Sequence, residues 1–335
     1  MLALAGVLTC AVARPAGADA RALWLRVQRE LDRAVAERAP RPPVPVAVTW
    51  RERRAGALDL GAELLTMAAA DLDRDGRAEL VALTAREVIV LSAGGGAVRV
   101  VARAGLGGQP AAVRPRDPVG ALATEVRAAE TVVWARSSEV ADAVGLAWRG
   151  GAGKGGLVEI ARGAGFPLCR GLSPELVKGR NYFAAAKDAP AGAPALDLPA
   201  EYFGALCRDD LIDTAGRPLA AAAVVGVDRA LHVTCRGAAG ACDGIERTVD
   251  GTGVAVAIAD VDNDGRPEVL TTRGGAPGDR DRVTVLGAGG KIFARDFQAG
   301  VVGLVAGDID GDGDRDVVAA VRFAGSTQAS FWTLN

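Results

Sequence analysis

Among its 335 residues this chain has one histidine, His232, and 4% aromatic side chains. That scarcity leaves little imidazole for general-base work or for transition-metal ligation. No G-x-S-x-G, H-E-x-x-H or reactive C-x-x-C is present, so the linear signatures of hydrolases, zinc proteases and thiol redox enzymes are missing. Lysine is rare beside arginine, and the net charge of -2 offers no basic field for nucleic acid. No apolar run reaches the length of a membrane-spanning helix. What is abundant is alanine and glycine, and 50% of the residues are hydrophobic, enough for a large core.

Against that background one acidic pattern recurs three times: Asp71 to Glu79 (DLDRDGRAE), Asp260 to Glu268 (DVDNDGRPE) and Asp308 to Asp316 (DIDGDGDRD). Each copy has carboxylates at positions 1, 3, 5 and 9 around a glycine at position 6. Alternate residues of a glycine-relieved turn can point to one spot, so Asp71, Asp73 and Asp75 converge while Gly76 takes the bend and Glu79 closes the cage. Carboxylates so crowded repel one another unless a cation neutralises them. All-oxygen ligands disfavour zinc and copper, and an all-protein cage favours calcium over magnesium. Three solvated turns that bind nothing are the plainer alternative, since turns are commonly rich in Asp and Gly. An EF-hand is excluded: position 12 holds Ala82, Thr271 and Ala319 where it needs a glutamate. The flanks, ELVALTA and EVIVL for the first loop, are β-branched and apolar, so the loops join strands.

The spacing of the loops points to a repeat. Gly265 and Gly313 stand 48 residues apart, and Gly216 lies 49 residues before Gly265 in LIDTAGRPL. That segment keeps Asp213, Gly216, Arg217 and Pro218 but has Leu211, Ala215 and Leu219 in place of carboxylates, and reads as a copy that has lost its metal. The interval from Gly76 to Gly216 leaves room for two further units, six in all. A unit of this length holding about four short strands is a propeller blade. In the first unit the strands are expected near 64–70, 79–85, 87–92 and 97–104, with the acidic loop joining the first two. The final unit is one strand short, and residues 44–54 are expected to pair with the strand around Phe331 and Trp332, closing the ring.

These loops and their flanking strands resemble FG-GAP/VCBS-type repeats, the calcium-loop blades also found in the integrin α-subunit propeller. The resemblance covers roughly residues 62–104 and 250–335 and is weak between them. It implies an all-β propeller with three structural Ca²⁺ ions. It also implies ligands at positions 1, 3, 5 and 9 plus the position-7 carbonyl: Asp71, Asp73, Asp75, Arg77 and Glu79; Asp260, Asp262, Asp264, Arg266 and Glu268; Asp308, Asp310, Asp312, Asp314 and Asp316. Integrin propellers have seven blades, one more than the count here. A binding or scaffold role, in adhesion or with a carbohydrate or protein ligand at the cell envelope, is what the resemblance implies for function.

The ends add a compartment. The apolar run LALAGVLTCAVA followed by Ala18-Asp19-Ala20 suits a secretory signal over residues 1–20, with a packed helix as the alternative. Cys10 raises a lipoprotein, though Leu8 and Thr9 fit that signal poorly. Cys169, Cys207, Cys235 and Cys242 then remain, an even number that fits an oxidising compartment. The favoured pairs are Cys235 with Cys242 and Cys169 with Cys207; free buried thiols are the alternative. Residues 21–39 place Trp24, Val27, Leu31 and Val35 at helical spacing, and the proline-rich stretch that follows ends this amphipathic helix by residue 43. The propeller occupies 44–335, as a monomer. An enzyme is the rival reading, centred on the irregular segment 166–210 with Lys178, Arg180, Asn181, Tyr182, Glu201, Tyr202, Asp209 and Asp210. His232 sits in a strand-like run and reads as packed. A third reading makes the chain a part of an envelope assembly, docked by its N-terminal helix.

Overall fold

The structure, a computed structural model, describes residues 42–93, 97–127, 130–150, 155–163, 174–185, 198–274 and 279–334. The expected signal (1–20) and amphipathic helix (21–39) lie outside them. All regular structure among the described residues is β.

An N-terminal strand β1 (Glu52–Asp59) is followed by a first sheet of β2 (Leu64–Ala70), β3 (Glu79–Thr84), β4 (Glu87–Ser92) and β5 (Arg99–Gly105). A second sheet holds β6 (Gly120–Val126), β7 (Thr131–Ser137), β8 (Ala143–Arg149) and β9 (Gly156–Gly163). The third has six strands: β10 (Pro174–Leu176), β11 (Phe183–Ala185), β12 (Glu201–Ile212), β13 (Pro218–Gly226), β14 (Leu231–Arg236) and β15 (Arg247–Val249). The fourth is β16 (Thr252–Ala259), β17 (Glu268–Arg273), β18 (Asp281–Gly287) and β19 (Gly290–Phe297). The fifth takes β20 (Gly300–Gly307), β21 (Asp316–Arg322) and β22 (Gln328–Leu334), with β1 as its fourth strand.

Every pairing is antiparallel, and all but that of β1 with β22 join strands consecutive in the chain, the arrangement of a propeller blade. The first strands β2, β6, β16 and β20, with β12 in the third sheet, carry the packing between sheets. β2 lies against β6 and β20, β16 against β12 and β20, and β12 against β6, so each has a neighbour on either side. Small residues make this approach feasible: β2 reads LLTMAAA, β16 TGVAVAIA and β20 GVVGLVAG. A side chain at Gly303 would strike Met67 of β2, its nearest atoms 2.7 Å from an added Cβ. The hydrophobic core is correspondingly divided. One cluster joins the first and fifth sheets around Leu64, Ile89 and Phe331; a second joins the fourth and fifth around Leu270, Val285 and Leu304. Others lie between first and second (Leu83, Val133, Leu146), third and fourth (Leu219, Val225, Ile258), and second and third (Ala143, Phe183, Tyr202).

Two sequence expectations change. The described residues form five sheets where the spacing predicts six units. Among the described residues, the long interval between the first acidic loop and the LIDTAGRPL segment holds, beyond the rest of the first sheet, one full sheet, β6–β9, and then a hairpin, β10–β11. That hairpin adds to the start of β12, pairing Phe183 with Tyr202. The closing strand is also displaced. β1 pairs along β22 from Glu52↔Leu334 to Asp59↔Gln328, with Arg54 opposite Trp332 and a bulge before Gly56. Residues 42–50 form no strand. Pro42, Pro43 and Pro45 have no N–H to give a ladder, which moves the pairing toward residue 52 and beyond.

Candidate metal centres in three loops

Each acidic loop joins the first strand of its sheet to the second: β2 to β3, β16 to β17 and β20 to β21. The three share one plan. In the first, Asp71 accepts from the backbone N–H of Asp75 (3.2 Å) and Gly76 (3.1 Å), Asp73 from that of Asp75 (3.2 Å), and Asp75 from that of Arg77 (2.9 Å). The second repeats it: Asp260 accepts from Asp264 and Gly265, Asp262 from Asp264, and Asp264 from Arg266. In the third, Asp308 accepts from Gly311 and Gly313, Asp310 from Asp312, and Asp312 from Asp314.

The carboxylate at position 9 closes the loop on its own start. Glu79 accepts from Leu72 N–H at 2.9 Å, Glu268 from Val261 N–H at 2.9 Å, and Asp316 from Ile309 N–H at 3.1 Å. Sequence reasoning missed two positions here. Position 2 is always a branched aliphatic residue, and Leu72, Val261 and Ile309 are buried in three different core clusters, pinning each loop to its sheets. Position 4 takes a left-handed backbone in all three, with φ of 63° at Arg74, 53° at Asn263 and 84° at Gly311. The mixed side chains there hid the shared conformation.

Carboxylate oxygens of Asp71, Asp73 and Glu79 lie within 4.8 Å of one another, as do those of Asp260, Asp262 and Glu268, and those of Asp308, Asp310 and Asp312. Calcium holds its oxygens at roughly 2.3–2.6 Å, so two on one ion stand no more than about 5 Å apart. The donor sets therefore fit. Asp75, Asp264 and Asp316 stand outside these close groups and need a side-chain movement to join them. Asp314 is exposed at position 7, where Arg77 and Arg266 stand in the other loops.

Burial, and then the surrounding aspartates, push Glu79 up to about 7 and Glu268 up to about 8, although each accepts a backbone N–H that acts the other way. Burial likewise raises Asp260, Asp262 and Asp310.

The decayed copy takes another solution. Leu211 and Leu219 face one another across β12 and β13 and are buried where the first and ninth carboxylates would stand. Asp213, also buried, accepts from the N–H of Ala215 and Arg217 and from Arg217 Nε at 2.7 Å. Loop joins loop around this face. Gly265 abuts the backbone of Asp213 and Thr214 so closely that an added Cβ would lie 2.5 Å from Thr214 N, and its φ of 81° excludes other residues on a second ground. Ala78 N–H donates to Asp308 C=O at 2.6 Å.

Segment 166–210 is less irregular than expected where it is described. Lys178, Arg180 and Asn181 are exposed at the tip of the β10–β11 hairpin, Glu201 is exposed, and Tyr202 is wholly buried. Tyr182 meets Phe203 edge-on, and Asp210 is paired with Arg208 at 2.6 Å. Asp209 lies in β12. His232, in β14 opposite Val224, is 3.7 Å from Asp228. Cys235 is disulfide-bonded to Cys242 as expected. Cys207 is also disulfide-bonded; Cys169, its expected partner, and Cys10 lie outside the described residues.

No protein-family model and no curated relative matches the sequence. Among solved structures the chain is similar to AofleA from Arthrobotrys oligospora, at 11% identity and a TM-score of 0.45, covering 86% of this chain and 88% of that one. It is also similar to the PQQ-bound form of aldose sugar dehydrogenase from Streptomyces coelicolor, at 13% identity and a TM-score of 0.42, covering 87% of this chain and 100% of that one.

Proposed function

We propose that this chain is a calcium-stabilised β-propeller of the FG-GAP/VCBS type, secreted or held at the cell envelope, that serves as a binding or scaffold module. The observation that carries it is the threefold recurrence of one loop, with the same backbone hydrogen bonds and carboxylates close enough to share one ion. The ions are structural. Side chains at positions 1, 3, 5 and 9 of each loop, with the carbonyls of Arg77, Arg266 and Asp314, would hold them, and their charge would offset the burial of Glu79 and Glu268. With every first strand flanked on both sides, the five sheets read as a closed ring of five blades, sealed by β1 on β22. Calcium is plentiful outside cells, where weak sites suffice. The Cys235–Cys242 disulfide suits the same compartment, and no helix among the described residues is long and apolar enough to cross a membrane. The ligand is a protein or a carbohydrate, and the chain acts as a monomer.

The test is a screen of the full chain against arrayed glycans and envelope proteins, in calcium and in chelator. Capture of a ligand in calcium, lost when chelator loosens the fold, is expected. Turnover of an arrayed substrate, lost on substitution of Glu201 or Asp209, would replace this reading with an enzyme.

A further inference from the structure

The second acidic loop is the one that holds the segment entering the propeller. Residues 42–50 run as a strap ahead of β1, and Val46 N–H donates to Asp262 C=O at 2.7 Å while Asn263 Nδ2 donates to Val44 C=O at 2.8 Å. Both loop residues are consecutive and sit at positions 3 and 4. Further along, Trp50 stacks on Phe293 of β19 with ring centroids 4.7 Å apart, and Val48 and Trp50 pack on the core cluster between the fourth and fifth sheets. The strap is therefore anchored at its far end by apolar contact and at its near end by the loop. The near end has little else: Pro42, Pro43 and Pro45 have no N–H, and Val44 is 71% exposed.

Position 4 explains the residue found there. A left-handed φ of 53° suits asparagine, and its amide is short enough to reach the strap from that conformation. In the other loops the same position serves other contacts. Arg74 reaches Arg127 C=O at 2.5 Å, and Gly311 leaves space filled by the Arg77 side chain. Only the second loop, among these three, spends positions 3 and 4 on the strap.

We propose that cation binding in the loop Asp260–Glu268 is the latch of the strap: occupancy of this one site fixes residues 44–46, and its loss frees them. The inference rests on the calcium reading and deepens it. Asp262 carries both ends of the link, its carboxylate toward the cation and its carbonyl on Val46. When Asp260, Asp262 and Asp264 lose their cation their crowded carboxylates repel at short range, and the peptide from Asp262 to Asn263 moves with them. Both strap bonds then break together. By reciprocity the strap raises the affinity of this site by the same factor, as any coupling between two binding events requires.

The experiment is hydrogen exchange on the full chain, read at the amides of residues 44–50, with bound calcium counted separately by native mass spectrometry. In calcium the Val46 amide is expected to be protected, with exchange about tenfold or more faster in chelator, within the usual range of such couplings. Asp260→Ala, or the milder Asp262→Asn if that variant does not fold, speeds exchange even in calcium. Asp71→Ala loses one ion and leaves the strap protected. Asn263→Gly, which tolerates the backbone angle, keeps three ions and loosens the strap. Three bound ions with strap exchange indifferent to chelator overturns the latch and leaves the calcium reading standing. No bound ion under any condition overturns both.

Discussion

Arg217 donates from Nε to Asp213 Oδ2 at 2.7 Å, setting a side-chain cation against the only carboxylate that the decayed loop retains among positions 1, 3, 5 and 9. A permanently charged guanidinium on a buried aspartate achieves locally what a divalent ion achieves for several carboxylates. An arginine also stands at position 7 of the first two acidic loops, as Arg77 and Arg266.

This pair makes a pH prediction. Asp213 is held below the ordinary carboxylate range, chiefly by the Arg217 backbone N–H and further by its guanidinium and the Ala215 N–H. A depressed folded value means stability that is present above the unfolded value of about 3.9 and lost as pH falls through the folded one. Asp213→Asn should lower the thermal midpoint at neutral pH and flatten the acid limb below about pH 4, followed by circular dichroism. Its calcium count should not change.

Leu219 and Glu268 stand at the same position of two copies and should fail differently. Leu219 is 1% exposed, and Leu219→Ala should cost about 2–5 kcal/mol by cavity formation, equally in calcium and in chelator. Glu268→Gln should cost stability only in calcium. In chelator it should be no worse than the parent, because burial pushes Glu268 up to about 8 and leaves it largely neutral there at pH 7, like the amide that replaces it. Denaturant titration of both variants in both buffers checks the contrast.

Removing β1 opens the fifth sheet. Residues 52–59 cover the whole length of β22, so their deletion leaves an unpaired edge that pairs with other chains. Size-exclusion chromatography should show a shift from monomer to aggregate. Deleting 42–50 alone should be far milder, since those residues supply no ladder.

The Cys235–Cys242 bond spans seven residues. Cys242→Ser should lower stability by about 2 kcal/mol, the scale set by so short a loop. Reduction of the parent should cost at least that much, since Cys207 is disulfide-bonded as well.

Much of this was legible in sequence, for reasons specific to each part. The loops could be read because three copies keep the same residue types at the same spacing, and the expected strands 64–70 and 87–92 match β2 and β4. Much of the second and third sheets could not. The β6–β7 connection turns at Arg127 and Glu130 with no acidic repeat, and β13, PLAAAAVVG, shows no alternation because it is buried on both faces. The β10–β11 hairpin broke the even step that the count assumed. The strap misled in a different way, since VAVT has strand character while its neighbouring prolines and the Trp50–Phe293 stack direct it elsewhere. Position 4 left no residue signature, its shared feature being a backbone angle.

The claim on which the rest depends is that three ions hold the three loops in place. Thermal unfolding of the full chain in millimolar calcium and in excess chelator tests it most directly. Each site at a hundredfold excess over its dissociation constant contributes about 2.7 kcal/mol, so chelation should lower the midpoint by many degrees and calcium, not magnesium, should restore it. Identical midpoints in the two buffers, with no ion retained, would contradict the account.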